Sequence, residues 1–120
     1  MKVSKKIKLS TYNCDVDIII TDNIIAEVNR IYKKHKITEK FEDTVEGVVI
    51  TPDMDYYYII LTPKYLTYNT IAHEVFHAVI KVTEDRDVED EEAQAWLMGH
   101  ITTETYKFIE KKNFKVSHGR

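Results

Sequence analysis

Thr70-Ile71-Ala72-His73-Glu74-Val75-Phe76-His77-Ala78-Val79-Ile80-Lys81-Val82 is the run on which the reading of this chain turns. It reads as a helix, and it contains His-Glu-x-x-His. On a helix, residues four apart lie on one face, so the imidazoles of His73 and His77 can reach a single ion. Glu74 projects roughly 100° round the helix from His73, beside the ion rather than on it. A carboxylate in that place can act on a water next to the metal.

The rest of the chain sets the bounds. At 120 residues it is one domain with room for a modest core. It is 43% hydrophobic and 31% charged, with 3 Gly and 2 Pro, a composition that fits an ordinary globular protein. The net charge of −3 argues against nucleic-acid binding by bulk electrostatics. The single cysteine, Cys14, rules out an intramolecular disulfide and suits a reducing compartment. Cys14 itself reads as a small residue beside a strand. Lys2, Lys5, Lys6 and Lys8 resemble a charged leader, but Ile18-Ile19-Ile20 is too short an apolar core and follows Asp15 and Asp17. No run approaches the length of a membrane span. A cytoplasmic protein without a membrane partner is the expectation.

Outward from the His run, the chain alternates strands and helices. Residues 5–9 alternate weakly and predict a short strand. Val16 to Ile20 predicts a stronger one. Thr21 or Asp22 is the expected cap of a helix carrying Ile24, Ile25, Val28, Ile31 and Tyr32 and ending near Lys36. Val45 to Thr51 and Tyr56 to Thr62 predict an antiparallel hairpin around Pro52-Asp53-Met54-Asp55. The His helix, capped by Asn69 or Thr70, is followed by an acidic connection and a last helix from about Val88 to Lys111. The expected fold is α+β: a small, mostly antiparallel sheet packed against the His helix and two further helices. Residues 1–112 form the domain, and 113–120 a polar, basic tail expected to fray.

A catalytic zinc site needs a third protein ligand and an open position. Glu92 is the expected third ligand beside His73 and His77, with Glu91 as runner-up and Asp87, Glu89 and Asp90 weaker. A short reversal between antiparallel helices puts Glu92 roughly level with His77. Ala95, Gly99 and Thr103 also each fall within roughly 60° of Glu92, a stripe whose small residues predict close approach of the two helices. Standing alone, an acidic run such as Glu89 to Glu92 is a solvated helix start. His100, two turns down, reads as a packed or surface histidine, and His35 and His118 carry no signal. One hydroxyl among Tyr56, Tyr57, Tyr58, Tyr65 and Tyr68 is a candidate oxyanion stabiliser. The strand Tyr56 to Thr62 is a candidate edge for an extended substrate.

Ile71-Ala72-His73-Glu74-Val75-Phe76-His77-Ala78, followed by Asp90-Glu91-Glu92-Ala93-Gln94-Ala95-Trp96-Leu97-Met98-Gly99-His100-Ile101, resembles small zincin-like proteins encoded by bacteriophages. The resemblance covers residues 70 to about 106 and is of the gluzincin type. It implies a zincin-like fold, a Zn²⁺ cofactor held by His73, His77 and Glu92, and Glu74 as the catalytic base of a metallopeptidase. It also implies a peptide or protein substrate, a phage or host protein as partner, and a place in the bacterial cytoplasm or on the virion. Many members carry Tyr where this chain has His100. The competing expectation is a non-enzymatic, zinc-stabilised binding or structural protein, such as a virion component, an assembly factor or a host-factor inhibitor. A third is a metal-free interaction domain in which His73 and His77 merely pack.

Overall fold

The computed structural model describes residues 1–119, so the last residue of the tail, Arg120, lies outside the described residues. Among the described residues, four strands make one mixed sheet: β1 (Lys2–Leu9), β2 (Cys14–Thr21), β3 (Gly47–Ile50) and β4 (Tyr56–Leu61), in the spatial order β1-β2-β4-β3. Three α-helices of the described residues accompany it: α1 (Ile24–Lys34), α2 (Tyr68–Asp85) and α3 (Glu91–Lys111). The α+β expectation holds, and so does the β3–β4 hairpin, which pairs antiparallel from Gly47 opposite Leu61 to Ile50 opposite Tyr58.

The centre of the sheet follows from its residues. β2 and β4 are near-continuous apolar runs, the pattern of strands covered on both faces, and they pair parallel with Ile18 opposite Ile59. Alternation sends Ile18, Ile20, Tyr57, Ile59 and Leu61 to one face, where they meet Ile71, Val75, Val79 and Val82 of α2 and Leu97, Ile101 and Phe108 of α3. Ile19, Tyr58 and Ile60 go to the other face, against Ile24, Val28 and Ile31 of α1. The helices therefore cover both sides of the sheet. Strand Tyr56–Leu61 lies between β2 and β3, so it is no substrate edge; that role is open only to β3 and β1.

Caps fall slightly away from the expected residues. Asn23, not Thr21 or Asp22, accepts from the Ala26 N–H at 3.0 Å to start α1. Thr21 instead accepts from the Asn23 N–H. Thr67, not Asn69 or Thr70, caps α2 by accepting from the Thr70 N–H at 3.0 Å. Asp90 caps α3 through the Glu92 N–H at 3.0 Å.

The end of α2 is clasped to the sheet. Arg86 donates from Nε to the Tyr12 carbonyl at 2.6 Å, from Nη1 to the Tyr57 hydroxyl at 2.8 Å, and from Nη2 to the Met54 carbonyl. Tyr57 in turn donates to Asp85 at 2.5 Å. One guanidinium thus joins α2 to the β1–β2 turn, the β3–β4 turn and the central strand. The start of α2 is held as well. Far from fraying, the tail bridges it: Ser117 donates to the Leu66 carbonyl and accepts from the Tyr68 N–H, each at 3.1 Å. The second bond satisfies an N–H that the first turn of a helix leaves without an intrahelical partner.

Glu27 on α1 is buried between two cations. It accepts from Arg30 Nε at 2.9 Å, and Lys2 Nζ lies 3.1 Å from its other oxygen. Burial pushes its pKa up, but the bonds from Arg30 and Lys2 outweigh burial and hold it below the ordinary 4.5. A carboxyl depressed in the fold stabilises above its unfolded pKa, and that contribution is lost as pH falls through the folded value. Asp17 and Glu74 shift the opposite way, so a raw pH curve mixes the effects. The clean comparison is wild type against Glu27→Gln. The variant is expected to melt lower at pH 7, and the gap is expected to close as pH falls past the ordinary 4.5 and through the lowered folded value. A gap independent of pH would mean that Glu27 contributes by packing alone.

Candidate metal centre

α2 presents His73 and His77 outward on one face, as their four-residue spacing requires, and their rings meet edge to face. The two Nε2 atoms are 3.1 Å apart. Two nitrogens bound tetrahedrally to zinc at about 2.0–2.1 Å stand roughly 3.4 Å apart, so the pair is within a few tenths of an ångström of ligand geometry. The His73 side chain is 62% exposed, which leaves an ion accessible from solvent.

Glu74 lies beside them but turned inward. It is 7% exposed, and its Oε2 is 3.9 Å from His73 Nε2. Burial lifts its pKa above the ordinary 4.5, and the two imidazoles pull against that shift. A carboxyl moved toward neutrality holds a proton more readily, which suits a group that must take one up and give it back.

The wall opposite is the edge strand β3. Gly47, Val48, Val49 and Thr51 line a cleft of about 310 Å³ together with His73, Glu74, His77 and Lys81. Gly47 was not anticipated from sequence, and its role is steric. A Cβ there would sit 3.1 Å from Glu74 Cγ, 3.1 Å from Thr70 Cγ2 and 3.4 Å from Glu74 Oε2. The missing side chain is what lets the strand lie against the carboxylate. Gly47→Ala is expected to displace Glu74 by a few tenths of an ångström and lower any turnover by about tenfold, with metal affinity unchanged. Parallel titration of metal and activity checks this; a matching loss of both would place Gly47 in general stability instead.

Glu92 and Glu91 occupy the first turn of α3, and both are exposed. At 100° per residue Glu92 points roughly 180° away from Ile101, which is on the buried side of the helix. The small-residue stripe shares that outward face. Apart from its chain neighbours and the backbone of its own helix turn, Gly99 has no atom of the described residues within 4 Å of where a Cβ would be, and Ala95 and Thr103 are exposed, so the stripe does not carry the helix contact. Leu97, Ile101 and Phe108 carry it instead. Among the described residues no group of three His, Cys, Asp or Glu is placed to hold a metal. The structure brings His73, His77 and Glu74 together and does not place Glu92 in a metal-holding group with them. Trp96 covers His100, with ring centroids 5.1 Å apart.

The tyrosines are committed elsewhere. Tyr57 is bound to Asp85 and Arg86, and Tyr58 shares a 2.9 Å hydrogen bond with His35. Burial pushes the Tyr58 phenol up to about 12. Tyr68 packs against Tyr106 and His118. None of Tyr56, Tyr57, Tyr58, Tyr65 and Tyr68 lines the cleft. Lys81, also missed, shares the helix face of His77 four residues on, and that spacing was the available signal.

The chain matches no protein-family model, no curated protein and no solved structure. Among the described residues no helix is long and apolar enough to cross a membrane.

Proposed function

We propose that this chain is a zinc-dependent peptidase of zincin-like type, with His73 and His77 as metal ligands and Glu74 as general base. The observation that carries the reading is the convergence of the two Nε2 atoms to 3.1 Å with a buried carboxylate 3.9 Å from one of them. Zinc held by these residues would supply a Lewis acid and a water of lowered pKa. Glu74, buried beside the histidines, is placed to take up a proton and return it to a leaving amine. β3 offers its free edge to an extended peptide, and antiparallel pairing there orients the scissile bond across the His face. The cytoplasm of a phage-infected bacterium, with a phage or host protein as substrate, is the setting the sequence resemblance suggests.

Glu92 remains the proposed third ligand; like both histidines it is exposed, and it would have to be drawn to the ion on metal binding. Zinc content after dialysis, followed by competition titration, tests both parts. About one zinc per chain is expected. If Glu92 joins the site, Glu92→Gln weakens zinc by about tenfold or more; if it does not, affinity is unchanged and the third position belongs to water or substrate. No zinc at all, even when offered in excess, overturns the proposal.

A second reading is favoured by one observation. A 3.1 Å Nε2 pair is also a hydrogen bond between two neutral rings, as in a binding module with no metal. That module melts at the same temperature with and without zinc.

A further inference from the structure

The strongest unassigned feature of the cleft is its cation. Lys81 lies on α2 eight residues after His73 and four after His77, so it continues the same helix face. It lines the cleft with both histidines and with the β3 edge. It is exposed, and no carboxylate of the described residues lies within 4.0 Å of its ammonium. Among the described residues the only carboxylate in the cleft wall is Glu74, which is buried and faces the histidines. No other Lys or Arg of the described residues lines the cleft. An uncompensated cation at one end of a groove, with an apolar strand edge along its side, selects for an anion on whatever lies in the groove.

We propose that Lys81 makes this cleft selective for peptides that carry a carboxylate two or three residues from the point between His73 and His77. The inference rests on the peptide-binding reading given above and specifies its substrate class. The position follows from geometry. Lys81 is about 9 Å along the helix from the midpoint of the His pair. An extended peptide covers that distance in about three residues. Gly47 abuts Thr70 and Glu74, so the strand begins at the early turns of α2 and continues past the histidines toward Lys81. A peptide paired antiparallel to β3 then presents Lys81 with an acidic side chain on the N-terminal side of the centre. A peptide paired parallel presents its C-terminal side, where a chain-terminal carboxylate serves equally.

Three hexapeptides of otherwise identical sequence separate these sources: one with an internal Glu and an amidated end, one with Gln in its place and an amidated end, and one with Gln and a free carboxylate. Their binding to the full chain carrying Glu74→Gln, which prevents turnover, is measured by calorimetry at low salt, with and without zinc. The Glu peptide is expected to bind about five- to tenfold more tightly than its neutral twin. That advantage is expected to shrink at 0.5 M salt, roughly a 4 Å screening length, and to vanish when Lys81→Gln is added. Lys81→Glu is expected to reverse it in favour of a Lys peptide. If the free-carboxylate peptide alone gains, the selected group is the chain terminus and pairing is parallel. Equal binding of all three, no binding of any, or a preference that survives Lys81→Gln overturns the proposal. Zinc affinity and hydrolysis are read separately, so failure of the metal reading leaves the charge preference measurable on the metal-free chain.

Discussion

Glu74→Gln is expected to lower peptide hydrolysis by about 10²- to 10⁴-fold while leaving zinc affinity within twofold of wild type. The substitution keeps the shape of a side chain that is 7% exposed and wedged against Gly47, and removes only its ability to take a proton. The burial that pushes the Glu74 pKa up penalises the charged form. The neutral amide is therefore expected to raise the melting temperature of the metal-free protein slightly at pH 7. Activity lost, metal kept and stability unchanged or gained is the signature of a catalytic carboxylate. Unchanged activity would remove Glu74 from the chemistry, and loss of zinc alongside activity would make it a ligand.

Arg86→Met is expected to destabilise the fold by about 2–3 kcal/mol, read as a lower urea midpoint with little change in slope. Methionine keeps much of the aliphatic stem but withdraws every donor that now serves the Tyr12 carbonyl, the Met54 carbonyl and the Tyr57 hydroxyl. Those acceptors belong to two turns and a central strand, so the loss is felt across the sheet. Because the same guanidinium fixes the end of α2, zinc affinity is expected to fall several-fold even though Arg86 touches neither histidine. A change below about 0.5 kcal/mol would show that solvent replaces the donors at no cost.

Much of the fold was legible because local rules and tertiary needs agreed. β2 and β4 were recognisable as strands from Val16, Ile18 to Ile20 and Ile59 to Leu61, whose β-branched and apolar side chains suit strands buried on both faces. What escaped was order. Nothing local in Tyr56–Leu61 states that it inserts between β2 and β3, and that insertion moved the free edge to Gly47–Ile50. The tail was misjudged for a similar reason. Asn113 to Arg120 is polar and basic, yet Phe114 and Val116 pack on the core and Ser117 bonds across the start of α2. The caps shifted by one to three residues because Asn23 and Thr67 each supply an oxygen where the chain enters its helix, and several neighbours could have done so.

The His-Glu-x-x-His spacing by itself determined that two imidazoles share a helix face with a carboxylate to one side, because a helix repeats every 3.6 residues whatever surrounds it. Only the tertiary structure decided which other groups stand near them. The face that α3 turns to the core is set by Leu97, Ile101 and Phe108, and that choice rotates Glu92 outward. The sheet order brings Gly47 against Glu74 and sets β3 along the cleft that Lys81 also lines. Helical phase is a property of neighbours in sequence; the contents of the cleft depend on how separate elements pack, and no local spacing encodes that.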